Sequence, residues 1–582
     1  MGSRAREDFW YVLSRGIETM TWLIIPAGVL SPTLFFLVLS MSRWLSTFAR
    51  QSYYTSRFIN WDLSQAFHIK ISIATLFFAS IHAIGHLTGS FLYGSRADHQ
   101  EAVAALGLSS PRQYKTFISS LPGWSGITAF TLFWILAGLS MPYVRKKSYE
   151  IFQCGHLLMF PILGLLCAHG TAALLQFPML GYWLALPLLL VIVERLNRVI
   201  NGFLHIPATM DILDDDTVRI TITMPKHRIW PYEAGQYVML QIPQISLFQW
   251  HPFTISTCVD NTMQVHIKTD GDWTSQIRNL TKENGKELKH VGVDGPFGAP
   301  AQRFYDFDHT IIIGSGIGVT PFSGILTDLQ IREERRMIRD GPRQESARLS
   351  SENIQRGRTP SDEQITEKAR RRSSSSIQRA NEFRQVDFHW IVAERNYLLW
   401  FSDLLNTISQ SSSSDRKDDG NNHLNIRIQT HVTKKRSEVS NHILRYLLEI
   451  HRTETHPASP LTGLVNETHF GRPDLPKIMH EHYENMLKLF TETKVEERRV
   501  GVFFCGSPAI GMILSDTCKT LTLRGREDRS LVEYRKCLNL FGNNEATEGI
   551  FKECANLVPS RFHDGSFWLT STCACGVIKL LI

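Results

Sequence analysis

The chain has 582 residues, 43% of them hydrophobic, and a formal net charge of +7. That length exceeds what one core supports and points to three or four domains. Most of the charge lies after residue 194, which excludes reading the surplus of Lys and Arg as a nucleic-acid footprint, and nine scattered cysteines without a repeated spacing exclude a disulfide framework.

Residues 1–19 read as an N-terminal segment without a cleavable leader. The first apolar run starts near Met20, holds Pro26 and Pro32, and has no small-residue cleavage site before a polar chain. Five apolar segments, roughly 20–41, 66–88, 124–143, 151–171 and 177–194, approach the ~20 residues needed to cross a bilayer. Arg43, Arg50 and Arg57, then Arg145, Lys146 and Lys147, then Arg195 and Arg198 fall on one side of these spans, which makes that side cytosolic. Five spans with a cytosolic end put the N-terminus outside, so this topology expects an earlier helix. The predicted unit is an all-α transmembrane bundle over 20–200.

Histidines stand inside two of these spans: His68, His82 and His86 in the second, His156 and His169 in the fourth. Ionisable residues at bilayer depth are costly and mark function. His68 and His82 are 14 residues apart, about 21 Å along a helix and about 40° apart in angle. His156 and His169 are 13 apart, about 140° on an ideal helix, and Pro161 between them supplies a break that corrects the offset. One histidine from each helix near each face suits two stacked haems, with His68 and His156 in the cytosolic layer and His82 and His169 in the outer one. His86, one turn beyond His82, is left out of that ligand set.

From about 205 to 305 the texture becomes alternating, as in Val218-Arg219-Ile220-Thr221-Ile222, and predicts an antiparallel β-barrel. Residues 308–520 read as an α/β domain with buried strands at Thr310–Ile313, Phe388–Val392 and Val500–Phe504. Its 332–385 stretch, with 14 Arg/Lys and 9 Asp/Glu, is expected to be a disordered basic insertion, in which Arg371-Arg372-Ser373 offers a kinase site. Ser409 to Asn422 reads the same way, and 521–582 reads as an atypical C-terminal tail.

Short motifs then supply chemistry. His251-Pro252-Phe253-Thr254 ends a strand, and His266, Lys268, Trp273 and Thr274 follow. An aromatic with a hydroxyl neighbour can lie on an isoalloxazine, and a base with Gly-x-x-Thr can hold a pyrophosphate. Gly314, Gly316, Gly318, Thr320 and Pro321 form a glycine turn between a strand and a helix, which lets backbone N–H groups meet a phosphate. No P-loop lysine is present, which argues against a kinase or ATPase. Cys505 and Gly506 end the last strand, where an open α/β sheet binds ligands.

Taken in order, the two histidine spacings, His-Pro-Phe-Thr, Gly271-Asp-Trp-Thr, Asp294-Gly-Pro-Phe-Gly298, the glycine turn, Gly471-Arg472-Pro473 and Cys-Gly-Ser-Pro508 resemble the NADPH oxidase family within the ferric-reductase superfamily, over roughly residues 15–520. The resemblance implies a bis-haem membrane bundle followed by a ferredoxin-reductase-like module, the barrel binding FAD and the α/β domain NADPH. It implies electron flow from cytosolic NADPH through FAD and two b-type haems to molecular oxygen across the membrane, giving superoxide. His86 matches a histidine of the family's oxygen pocket, and Arg15 its arginine partner. Ala393 stands where an arginine usually meets the NADPH 2′-phosphate, and Arg395 and Arg472 are the substitutes. Lys268 replaces a more usual arginine.

The family's first span is not matched, and the tail after Arg524 matches nothing in it. The implied setting is a plasma or internal membrane with the reductase module in the cytosol, and no nucleic-acid partner. Regulatory protein subunits or calcium-dependent control belong to the family's repertoire, although Asp211–Asp216 lacks the Gly and Glu of a calcium-binding EF-hand loop. Two alternatives stand beside this reading: a transmembrane ferric-chelate reductase with the same wiring, and an inactive, truncated oxidase isoform.

Overall fold

The computed structural model describes residues 21–538 apart from 99, 101–102, 104–107, 172–179, 226–231, 281–286, 355–383, 415–423, 435–442, 444–445, 448–449, 454–455 and 493–497. It divides into two compact units that meet in sequence at Asn197 and Arg198.

The first unit is helical. α1 (Thr21–Leu39) is followed after a sharp bend by α2 (Arg43–Arg50), and α3 (Ser64–Ile84) continues as a π-helical turn at Gly85–Ser90. α4 (Leu121–Leu139), α5 (Tyr149–His156), α6 (Met159–His169) and α7 (Leu180–Phe203) complete the helices that matter for the site. α3 packs on α1 and α4, and α4 packs on α6. Glu194 of α7 accepts from Ser42 Oγ at 2.5 Å and from the Trp44 N–H at 2.9 Å, which satisfies donors that the start of α2 would otherwise leave open.

Among the described residues, three helices are long and apolar enough to cross a membrane: Ser64–Tyr93, Leu121–Leu139 and Tyr149–His169. They become four if Gly28–Leu39 and Arg43–Arg50, bent by 81°, count as one span. Five were expected. The fifth falls on α7, whose second half carries Glu194, Arg195 and Arg198 and which is not among those helices, while residues 172–179 before it lie outside the described set.

The second unit holds two sheets. β1 (Ile206–Ile212), β2 (Thr217–Thr223), β3 (Tyr237–Gln241), β4 (His251–Thr254), β5 (Thr257–Val259), β6 (Thr262–Lys268) and β7 (His290–Phe297) form one antiparallel sheet in the order β4-β3-β7-β1-β2-β6-β5. Alternation drives it: Val218, Ile220 and Ile222 are fully buried and share a core with Val265, Ile267 and Val293. A short helix α8 (Asp272–Ile277) follows β6.

The other sheet is parallel: β8 (His309–Ser315), β9 (Arg384–Val392), β10 (Leu424–Val432), β11 (Thr468–Phe470), β12 (Arg499–Cys505) and β13 (Glu533–Leu538), in the order β11-β10-β9-β8-β12-β13. The chain winds outward from β8 in one direction and resumes on its other side with β12. The switch point between β8 and β12 is where such sheets place ligands. Helices α9 (Thr320–Ile354), α10 (Ser402–Ser414), α11 (Leu475–Glu492) and α12 (Pro508–Glu527) accompany the strands.

Three expectations are corrected. Residues 332–354 of the expected insertion continue α9, because Arg, Glu and Met are good helix formers, and the pairs Asp328–Arg332 (2.6 Å) and Glu333–Arg336 (3.2 Å) add helical support. Its remainder, 355–383 with the Arg371-Arg372-Ser373 motif, lies outside the described residues. Ser409–Ser414 likewise belongs to α10. The expected tail begins as part of the parallel sheet: Leu521, Val532 and Tyr534 are core residues and β13 pairs with β12. A charge-rich Arg524–Arg529 run masked that strand, and Gly525 admits the close approach of the Val532 carbonyl, which a Cβ would meet within 2.4 Å.

Candidate functional site

Spacing along α3 brings the intramembrane histidines into two facing pairs. The His68 and His156 rings are 6.4 Å apart, and those of His82 and His169 are 6.2 Å apart. His156 ends α5 and His169 ends α6. Between them the chain makes i→i−3 bonds, Leu157 N–H to Cys154 and Leu158 N–H to Gly155, both 3.1 Å. Each such residue overwinds a helix by about 20°, which brings His169 round toward the face of His156. The break lies just ahead of Pro161.

The second ring nitrogens explain how the imidazoles are held. His68 Nδ1 is 3.1 Å from Ser40 Oγ and 3.2 Å from the Leu37 carbonyl, and His156 Nδ1 is 3.1 Å from Ser140 Oγ. Ser40 and Ser140 each donate their proton to a helix carbonyl, at 2.9 and 2.7 Å, so each hydroxyl oxygen accepts from the imidazole. His169 Nδ1 donates to the Pro122 carbonyl at 2.9 Å. In these three histidines the bonds put the proton on Nδ1 and leave Nε2 as a free base, the tautomer a metal takes, while His82 Nδ1 is buried with no partner among the described residues. Gly126 makes room for His169: a Cβ there would stand 2.7 Å from its ring.

These residues fit a haem iron held between two imidazoles. Metal–imidazole bonds of about 2.0 Å put two coaxial ring centres roughly 6 Å apart, close to both observed separations. His86 lies in the π-helical turn, 4.6 Å from the His82 ring, and its Nδ1 is buried with no hydrogen-bond partner among the described residues. Arg15 lies outside the described residues.

In the antiparallel sheet, His251, Pro252, Phe253 and Thr254 form β4, and Trp273 stacks on His251 at 4.2 Å and on Phe253 at 6.1 Å. His266 accepts or donates through Nδ1 to Ser256 Oγ at 2.7 Å. Burial, helped by the Arg219 charge, lowers its pKa to about 3, so it is neutral. His251 is lowered by burial as well. Three buried polar atoms, His251 Nε2, His266 Nε2 and Trp273 Nε1, have no partner among the described residues, which suits a polar ring ligand at this edge. Lys268 Nζ sits 2.6 Å from Asp270 and 3.6 Å from Asp216, and the bond to Asp270 holds its pKa above the ordinary lysine value. Thr274 Oγ1 closes the turn by accepting from the Gly271 N–H at 2.9 Å.

At the switch point of the parallel sheet, Gly314 pairs in register with Cys505. Gly316 has φ +55° and opens the 3₁₀ turn Gly316–Val319, from which α9 starts at Thr320 and Pro321. Gly318 is required by proximity: a Cβ would lie 2.4 Å from the Cys505 carbonyl oxygen. Gly506 is required for the same reason, its Cβ position being 2.4 Å from Ser315. Burial pushes the Cys505 thiol up to about 12, so it is a neutral packing group and not a thiolate. Trp390 Nε1 donates to the Gly316 carbonyl at 3.1 Å and fixes the turn. Arg395, exposed, opens the 3₁₀ stretch after β9, and Arg472 is exposed after β11.

Several supports escaped the sequence reading. Asp294 accepts from Arg198 Nε at 2.8 Å and Asn201 Nδ2 at 3.1 Å. Asp214 and Asp216, in the β1–β2 turn, accept from Trp400 Nε1 (2.5 Å) and the Tyr397 hydroxyl (3.0 Å). Ser40, Ser140 and Gly126 carry no motif of their own, and their helical partners alone reveal them.

Residues 27–167 match the family described as ferric reductase like transmembrane component, 203–301 an FAD-binding domain, and 307–519 the ferric reductase NAD binding domain. The chain is 28% identical over 506 residues to the probable respiratory burst oxidase homolog protein I of Arabidopsis thaliana, covering 79% of this chain and 51% of the relative. It is 26% identical over 568 residues to respiratory burst oxidase homolog protein A of Solanum tuberosum, covering 89% and 56%. It is also 23% identical over 517 residues to dual oxidase 2 of Rattus norvegicus, covering 85% and 29%. The chain thus spans about half or less of the length of these relatives. The chain is therefore similar, in three consecutive domains, to the ferric reductase like transmembrane component, an FAD-binding domain and the ferric reductase NAD binding domain, and its relatives are respiratory burst and dual oxidases.

Proposed function

We propose that this chain carries electrons across a membrane, from cytosolic NADPH through FAD and two b-type haems to molecular oxygen on the opposite face, with superoxide as product. The observation that carries the reading is the double histidine pair, in which His68, His156 and His169 have Nδ1 tied to a helix carbonyl or serine hydroxyl while His82 Nδ1 has no partner among the described residues. When bound, the flavin takes a hydride and gives up single electrons, and each haem carries one electron at a time.

The protein's own residues do the rest. His68 and His156 hold the inner haem, and His82 and His169 the outer one, at two depths set by the 14-residue spacing on α3. The arginine and lysine clusters orient the spans with the flavin and nucleotide domains in the cytosol. The antiparallel sheet acts as a barrel whose β4 edge, with His251, Pro252, Phe253, Thr254 and Trp273, supports the isoalloxazine, while His266 and Lys268 with Thr274 serve the ribityl-pyrophosphate end. Gly314, Gly316, Gly318, Thr320 and Pro321 receive the nicotinamide nucleotide's phosphates beside Cys505 and Gly506, and Arg395 and Arg472 meet its 2′-phosphate. His86, with Arg15, serves the oxygen site. In domain terms, 20–200 bears the haems, 205–305 the flavin, and the nucleotide domain proposed from 308 takes in β13 as well.

The test is a reduced-minus-oxidised spectrum of the membrane-bound protein together with NADPH-dependent cytochrome c reduction. The expected result is b-type bands and reduction abolished by superoxide dismutase. A ferric-chelate reductase is a second reading, favoured by the ferric reductase description of two of the three matched domains. Dismutase-insensitive reduction with fast Fe(III)-chelate turnover would establish it instead, and absence of b-type bands would overturn both.

A further inference from the structure

One segment touches both proposed cofactor sites. The 3₁₀ stretch Arg395–Phe401 begins with the arginine proposed for the 2′-phosphate. Its Tyr397 hydroxyl donates to Asp216 Oδ2 at 3.0 Å, and its Trp400 Nε1 donates to Asp214 Oδ2 at 2.5 Å, so the flavin sheet's β1–β2 turn holds it at two points. Its Phe401 ring lies 4.5 Å from His266 and 6.0 Å from Trp390, the tryptophan that fixes the glycine turn through Gly316.

The same Asp216 Oδ2 is 3.6 Å from Lys268 Nζ, and its backbone carbonyl accepts from the Thr269 N–H at 2.8 Å and the Thr269 hydroxyl at 3.1 Å. Lys268 and Tyr397 therefore share one carboxylate oxygen. A carboxylate neutralised by an ammonium group is a weaker acceptor than one left charged, because charge strengthens a hydrogen bond.

We propose that Asp216 and Tyr397 are positioning residues that couple the flavin site to the 2′-phosphate site. A flavin pyrophosphate draws Lys268 away from Asp216, the freed carboxylate binds the Tyr397 hydroxyl more strongly, and the segment headed by Arg395 is held in its phosphate-binding position. Because coupling between two binding sites is reciprocal, the nucleotide's phosphate tightens flavin binding by the same factor. The inference rests on the proposed FAD and NADPH sites.

The test uses the full-length, haem-loaded protein in detergent, with and without FAD, and measures by calorimetry its affinity for 2′-phospho-AMP, a probe without a nicotinamide ring. In the parent protein FAD is expected to tighten this binding about 5-fold or more, the lower end of common couplings. In Tyr397→Phe the affinity becomes independent of FAD and stays at the weak, flavin-free value. Asp216→Asn, made as a second variant, also removes the dependence on FAD. A merely structural role changes affinity or melting temperature but leaves the FAD-dependence in place, so coupling that persists in either folded variant overturns the proposal. So does a parent protein that binds 2′-phospho-AMP equally with and without FAD. Absence of any 2′-phospho-AMP binding, with FAD still bound, overturns the NADPH reading along with the coupling.

Discussion

Acid is expected to loosen the parallel-sheet domain through three buried histidines. His389 on β9, His431 on β10 and His482 on α11 are 4–5% exposed. Burial lowers His389 to about 3, helped by His431 and His469, and lowers His431 to about 4, helped by His469. Burial also lowers His482 to about 3, helped by Arg427, His309 and His389. His482 is held by the Tyr534 hydroxyl at 2.8 Å and faces Asp387 at 3.6 Å, and Asp387 faces Arg427 at 3.1 Å.

The folded pKa values lie below the unfolded value near 6.5, so between them the unfolded chain binds more protons. Stability is fully present above about pH 7 and falls as pH drops toward the folded values. Moving from pH 7.5 to 5.5 removes about 1.4 kcal/mol for each fully buried histidine. His389 and His482 together account for about 2.7 kcal/mol, and His431, with a folded value near 4, adds about 1.3 more. Asp387, raised by burial, takes up its proton in the folded state and offsets part of the loss at the acid end. A net loss of about 3 kcal/mol is a large fraction of a domain's usual stability.

Urea unfolding of the detergent-solubilised, FAD-loaded protein at the two pH values, followed by tryptophan and flavin fluorescence, measures this difference. His389→Leu should shrink the pH difference by about 1.4 kcal/mol, whatever it does to stability at pH 7.5 alone. If the variant keeps the full pH dependence, or if the parent protein does not weaken in acid, the assignment of buried neutral imidazoles is wrong.

Three further outcomes follow from close contacts. Gly318→Ala drives a methyl into the Cys505 carbonyl, which should cost about 1–3 kcal/mol by thermal melting and abolish NADPH oxidation. Gly126→Ala displaces the His169 ring alone, so under the proposed bis-haem function a pyridine haemochrome assay should find about one haem per chain in place of two, with the His68–His156 layer kept. Asp294→Ala removes the carboxylate that accepts from Arg198 Nε and Asn201 Nδ2, and should lower the denaturation midpoint by an amount equivalent to about 1–3 kcal/mol.

What the sequence made legible is what a short run of residues encodes. The alternation of Val218–Ile222, the glycine turn after Thr310–Ile313 and the histidine spacings each carry their own period or punctuation, and the elements stand where those signals lie. What stayed hidden depends on residues far apart. The strand Glu533–Leu538 is short and charged at its start, and only its partner β12 makes it a strand. Polar composition at 332–354 removes a reason to pack but not a reason to be helical. The Asp216–Tyr397 contact joins positions 181 residues apart, beyond the reach of any motif.

The histidine layers show how local imperfection and long-range order fit together. A 13-residue interval on an ideal helix faces the wrong way, yet the 14-residue interval on α3 fixes where its partners must stand. The chain resolves the conflict on α5 and α6 by tightening at Leu157–Leu158 ahead of Pro161. Ser140 and the Pro122 carbonyl then hold the His156 and His169 rings on either side of the break, and Ser40 holds His68 opposite. The irregular stretch is therefore part of the site, and restoring a regular helix there would be expected to separate His169 from His82 even though every ligand remained in the sequence.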